Sequence, residues 1–166
     1  MSVLRESFAE FESQYTPKAF AASAVDEAQA RERMAIGLTW GAFLGNMMIG
    51  TASVSEKDED ILYVRGMAVV PSARGKGVGR LLLERIESHA KQRGRKRLQL
   101  RTSPCLTAAI QLYERFGFRP DERSIDLFGT PLIGMTKELC SEKSEDVNKG
   151  DHTCRKTTDT TPPAFA

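Results

Sequence analysis

The sequence has little of what would place it in several common classes. No apolar run approaches the roughly 18 residues that a membrane span requires. The opening residues Met1-Ser2-Val3-Leu4-Arg5-Glu6 become charged at once and do not form the apolar stretch of a signal peptide. A soluble, cytoplasmic protein without a membrane partner is therefore expected. The cysteines Cys105, Cys140 and Cys154 are odd in number and widely spaced, and His89 and His152 are the only histidines. They suggest neither a disulfide framework nor a metal-ligand set, so reduced thiols and no metal are expected. The Walker pattern Gly-x4-Gly-Lys-Ser/Thr is absent.

What remains is a chain of 166 residues, 40% of them hydrophobic, enough for one domain with a real core. That domain is expected over residues 1–140. From Ser141 to Ala166 the chain is Ser/Thr, charge and Pro162-Pro163, too poor in apolar surface to offset its ordering entropy, so 141–166 reads as a disordered polar tail. The net charge of +2 is unevenly spread: ten Lys and Arg against Glu84 and Glu87 lie between Arg74 and Arg101. A local basic field suits a small polyanion, whereas a nucleic-acid binder is more often basic over a whole face, and no nucleic-acid partner is expected.

Leu4, Phe8, Phe11 and Tyr15 form one apolar helical stripe, and Thr16-Pro17 reads as an N-cap with proline in the first turn of a second helical region. That region continues to about Met34, restarting near Val25-Asp26-Glu27, and Gly37 is expected to end it as a left-handed cap. Leu38 to Leu44 and Met47 to Ser55 flank Gly45-Asn46 as a hairpin. Ile61 to Val70 is apolar enough for a central strand, with Gly66 marking a bulge or close approach. A helix from Val78 stopped by Gly94, a strand around Leu98 to Thr102, a helix through Ala109, Leu112, Tyr113 and Phe116 closed by Gly117, and a last strand Leu132 to Leu139 complete the chain.

The central feature is Val69-Val70-Pro71-Ser72-Ala73-Arg74-Gly75-Lys76-Gly77-Val78-Gly79-Arg80, where a strand meets a basic glycine turn that opens a helix. Glycines admit close approach of a ligand to the backbone, and the unpartnered first amides and dipole of a helix favour an anion. Some phosphate is the expected ligand.

Arg74-Gly75-Lys76-Gly77-Val78-Gly79 resembles the Arg/Gln-x-x-Gly-x-Gly/Ala turn of the GNAT superfamily of acyl-CoA-dependent N-acyltransferases, and it follows Met67-Ala68-Val69-Val70-Pro71. Ala109-Ile110-Gln111-Leu112-Tyr113-Glu114-Arg115-Phe116-Gly117-Phe118 resembles the same family's second signature, at fitting spacing. The resemblance covers residues 36 to 139. It implies an α+β, GNAT-like fold with a central, mixed, mostly antiparallel twisted sheet flanked by helices. The family's first strand, which normally precedes the first helix, is apparently missing here. Leu38 to Leu44 could then be a bare edge, which leaves a homodimer open.

The resemblance further implies an N-acetyltransferase that moves an acetyl group from acetyl-CoA to a primary amine of a small molecule or peptide by direct ternary-complex attack. A catalytically inactive acyl-CoA-binding module is the alternative. The pyrophosphate would sit on Gly75, Lys76, Gly77, Val78, Gly79 and Arg80 with Arg74 at the turn. The pantetheine would lie along Met67, Ala68 and Val69. The Val69 amide would polarise the thioester carbonyl, and Tyr113 would protonate the departing thiolate. Lys76, Arg80 or the cluster Arg93 to Arg97 would meet the ribose phosphate. Arg101 stands where members that acetylate ribosomal-protein N-termini have a glutamate, and Leu106 where an asparagine is common. Glu56, Asp58, Glu59, Asp60 and Asp126 are acids in loops, none assigned as a base.

Overall fold

The computed structural model describes residues 3–139; the expected tail at 141–166, with His152 and Cys154, and also Cys140, lie outside the described residues. Helix α1 (Val3–Phe8) continues as a 3-10 segment (Ala9–Gln14), and is followed by α2 (Pro17–Ser23) and α3 (Glu27–Ile36). The Thr16 hydroxyl accepts from the Ala19 amide at 3.2 Å, as the Thr-Pro pair predicts. Asp26 and Gln29 form a capping box that restarts the chain as α3. Among the described residues no helix is long and apolar enough to cross a membrane.

Strands β1 (Leu38–Leu44), β2 (Met47–Glu56), β3 (Ile61–Val69), β4 (Arg97–Thr102), β5 (Arg119–Leu127) and β6 (Thr130–Glu138) form one sheet in the order β1-β2-β3-β4-β6-β5. Only the β3–β4 pair is parallel; the others are antiparallel. This is the mixed, mostly antiparallel sheet expected, it begins with the hairpin, and among the described residues β1 pairs with β2 alone. Helix α4 (Val78–Gln92) buries Leu82, Leu83 and Ile86 against β2 and β3, while Leu4 of α1 packs on Val25 and Ala68 on the other face. Helix α5 (Thr107–Arg115) adds Tyr113 to the α4-side core, beside Phe118.

Two expectations need correction. Asp126, counted among the acids in loops, lies in β5, a strand that none of the expected elements covers. Its charged residues Asp121 and Asp126 are exposed and hide the strand pattern, because β5 is an outer strand of the sheet. Gly37 is not a left-handed cap, since its φ of −152° is extended. A Cβ there would come within 2.3 Å of the Val54 carbonyl oxygen, so close approach requires the glycine.

Adjacent positions on α4 separate core from surface. Leu83 is 0% exposed and Leu81 63%. Leu83→Ala is expected to cost about 2–5 kcal/mol in denaturant unfolding, and Leu81→Ala under about 0.5 kcal/mol.

Candidate functional site

The site begins where β3 and β4 part. They are paired only through Ile61↔Arg97, Leu62↔Leu98 and Tyr63↔Gln99; beyond these no register joins them, so among the described residues the second half of β3 has a free edge. On its other side β3 stays bound to β2. The Val70 amide donates to the Ile49 carbonyl at 3.0 Å, and Gly50 stands opposite Val69. Amides alternate in direction along such a ladder, so the Val69 N–H is turned away from β2, towards the gap. A bulge makes this possible: the register slips between Ser53↔Arg65 and Thr51↔Ala68, and Gly66 takes a φ of +58°.

Val69 leads into the glycine turn. Gly75 and Gly77 have φ of +73° and +81°, and a Cβ on either would meet nothing within 4 Å, so the loop's outer surface is open. Leu81 is the first residue of α4 whose amide is bonded to the turn, at 3.1 Å to the Gly77 carbonyl, which leaves the amides of Val78, Gly79 and Arg80 as the unpaired first turn. Gly79 has a different task. A Cβ on it would approach Leu112 Cδ2 to 2.8 Å and Met67 Cε to 3.5 Å, so its absence lets α4 and α5 close over the end of β3.

Tyr113 is 7% exposed and meets the Phe118 ring edge-on at 5.9 Å. Burial pushes its phenol well above the ordinary value, and the nearby Tyr15 adds to the shift. Tyr113 therefore keeps its proton at any physiological pH. Tyr15, legible in the sequence only as part of an apolar stripe, shares a side-chain hydrogen bond with Ser103, just beyond β4. Burial drives its phenol up to about 12 against that bond. The Cys105 thiol donates to the Ser103 hydroxyl at 3.2 Å. No local pattern marked Tyr15 or Ser103, because the fold, not spacing, brings them together.

Arg74 is occupied from within the chain. Its guanidinium pairs with Glu10, donates to the Ser7 carbonyl at 2.9 Å and the Val69 carbonyl at 3.3 Å, and lies over the Phe11 ring. Arg80 pairs with Glu84 one turn on. The Arg93–Arg97 cluster is at the opposite end of β3 and β4. Arg93 and Arg95 bind Glu56, Lys96 binds Asp60, and Arg97 binds Glu138, so the cluster is removed from the glycine turn. This also accounts for Glu56 and Asp60, while Asp58 accepts from the amides of Asp60 and Ile61 and Asp126 from that of Gly129. Each of those four acids has a structural task. Arg101 lies over the Tyr63 ring at 5.9 Å, and Leu106 stands at the N-terminus of α5.

The acetyltransferase (GNAT) family model matches residues 3–118. An N-acetyltransferase of Bacillus subtilis strain 168, YsnE, is 33% identical over 103 residues, covering 60% of this chain and 68% of that protein. Further curated relatives are matched over less than half of their length. Among solved structures, a GCN5-related N-acetyltransferase from Rhodopseudomonas palustris is 26% identical with a TM-score of 0.66, covering 82% of this chain and 86% of that one. The PaiA N-acetyltransferase of Thermoplasma acidophilum, in complex with coenzyme A, shares the fold at 19% identity and a TM-score of 0.68, covering 82% and 89%.

A charged clamp ties α4 to β6 beside this site. Glu87 accepts from Lys137 at 2.6 Å and pairs with Lys91 at 2.8 Å, and Lys137 lies 4.0 Å from the Phe116 ring centre. Burial pushes the Glu87 carboxyl up, but the hydrogen bonds from the two lysines outweigh it and hold the group below its ordinary value. A carboxyl lowered in the fold contributes stability above its unfolded pKa and loses it as pH falls through the folded one. Glu87→Gln is therefore expected to flatten the acid limb of a midpoint-versus-pH curve below about pH 4.5, the range where an ordinary glutamate titrates.

Proposed function

The chain belongs to the acetyltransferase (GNAT) family and is an acetyl-CoA-dependent N-acetyltransferase, and we propose that it passes the acetyl group directly to a primary amine of a small molecule or peptide within a ternary complex. The observation that carries this reading is the parting of β3 from β4, with the Val69 amide turned into the gap that opens beside the glycine turn.

The open surface of residues 75–80 takes the pyrophosphate, whose charge the unpaired amides at the start of α4 and the helix dipole stabilise. Arg74 reaches it by leaving Glu10 or stays to fix the turn, and Lys76 and Arg80 meet the remaining phosphate charge. The pantetheine runs along Met67, Ala68 and Val69, completing the ladder that β4 leaves open. This puts the thioester carbonyl at the Val69 N–H, a fixed donor for the charge that develops on oxygen.

A neutral amine attacks the carbonyl carbon and forms the C–N bond. As the tetrahedral species collapses the C–S bond breaks, the sulfur takes the electron pair, and Tyr113 supplies its proton. The nitrogen, cationic after attack, sheds a proton, and a proton returns to the phenolate. Burial keeps Tyr113 protonated until the thiolate departs.

A thiol-release screen of acetyl-CoA against amines, peptides and aminated antibiotics tests the reading. Coenzyme binding without thiol release across the panel would mark an inactive acyl-CoA-binding module instead. With an active acceptor, Tyr113→Phe is expected to lower kcat about 10²-fold or more while the coenzyme Kd stays within about twofold. Unchanged turnover would remove Tyr113 from the proton path.

A further inference from the structure

Of the eight large apolar side chains that stand exposed among the described residues, six lie close together in the chain: Met34, Leu38, Phe43, Leu44, Met47 and Met48. They belong to the end of α3 and to the β1–β2 hairpin, at the edge of the sheet opposite β5. Phe43 and Met48 fold back over Gly41, since a Cβ there would come within 2.8 Å of the Phe43 ring and 3.2 Å of Met48 Cε. With Met34 and Met47 they border one concavity of the sheet face under α1 and α3. Open to between 40% and 66%, six side chains of roughly 150–200 Å² each leave on the order of 500 Å² of apolar surface in water. A monomer rarely keeps a patch of that size uncovered.

The same region has nothing to repel a neighbour. Residues 34–55 contain no Asp, Glu, Lys, Arg or His, and no proline. Edge strands are ordinarily protected by such residues, by bulges or by a covering element. Among the described residues the outer edge of β1 is unpaired, and its register slip against β2 falls between Ala42 and Phe43, towards the hairpin turn. Residues 38–42 are therefore a regular edge with unpaired backbone donors and acceptors. Trp40, in the middle of that run, faces α4, where its ring meets that of His89 at 5.4 Å.

We propose that β1 pairs antiparallel with β1 of a second copy about a two-fold axis at Trp40, joining two six-stranded sheets into one. Charge decides the occupant. A nucleic acid or a charged peptide would find no counter-charge here, whereas a second copy brings a strand as neutral as the first, and two-fold pairing sets no like charges opposite each other. The axis at Trp40 makes the two indoles cross-strand neighbours. It also sets the Phe43 end of each edge beside the Met34 end of the other, so each copy covers apolar side chains of its partner. With the strand backbone added, the area approaches the roughly 800 Å² per partner of a stable interface. The interface is separated from the β3–β4 gap by β2 and does not depend on the acetyl acceptor.

Sedimentation of the full chain across the micromolar range tests this, and a reversible dimer is expected. Trp40 is the only tryptophan, so its fluorescence should change along the same concentration curve, and amide exchange at residues 38–42 should slow as the dimer forms. Phe43→Asp should weaken the dimer about tenfold or more, by setting a charge against an apolar partner surface, and leave coenzyme A binding unchanged. The exchange map of the unaltered chain decides the matter should Phe43→Asp misfold. Four results would each overturn the proposal: a monomer throughout the range, a dimer whose protection appears at β5 instead, an undiminished dimer in folded Phe43→Asp, or protection of residues 38–42 that is independent of concentration, the chain's own residues 140–166 then covering the edge.

Discussion

One constraint governs the active half of the molecule: β3 must be held firmly on one side and left free on the other. The β2–β3 ladder supplies the hold and the early departure of β4 supplies the freedom. The bulge at Gly66 determines what the free edge presents. An extra residue in one strand reverses the alternation beyond it, so Val69 faces Gly50 and directs its amide outward, where an uninterrupted ladder would have directed it to β2. The glycine turn, the start of α4 and the closure of α5 over Gly79 all take their positions from that strand end.

Elements whose physics is local could be read from the residues. Thr16-Pro17, the Gly45-Asn46 hairpin, the α4 stripe and the glycine turn each carry their own cap, turn or periodicity, and each stands where expected. Where the sequence misled, partners distant in the chain decided the outcome. Gly37 is fixed by the Val54 carbonyl, seventeen positions on, and β5 is made a strand by β6 despite its charges.

The basic field from Arg74 to Arg101 illustrates the same limit. As a string it is one patch, but the fold divides it into two ends of the sheet. At one end Arg93, Arg95 and Lys96 pair with Glu56 and Asp60, which brace the loop between β2 and β3 against the start of β4, and Arg97 pairs with Glu138 of β6. Exposed pairs of this kind contribute little stability individually, yet they offset most of the field there. At the other end Lys76 makes no ion pair among the described residues, beside amides that have none either. The attraction for a polyanion is thus concentrated at the glycine turn, though most of the positive charge in the stretch lies elsewhere.

The N-terminal segment is the element that joins these parts. Leu4 packs on Ala68, Ser7 and Glu10 hold Arg74, Tyr15 reaches Ser103, and Thr16 bonds the β5–β6 turn through Thr130 and Phe128 at 3.0 and 2.8 Å. In a sheet that begins with the hairpin, these first helical residues take on a binding task in addition to covering one face of the core. They contact the strand that lines the gap, the arginine of the glycine turn and the hairpin at the far end of the sheet. A shift of α1 is therefore felt at all three places, because packed side chains and bonded carbonyls transmit displacement and do not absorb it. The gap between β3 and β4 consequently owes its shape to residues some fifty to a hundred positions away, and no motif within the glycine turn could have revealed that dependence.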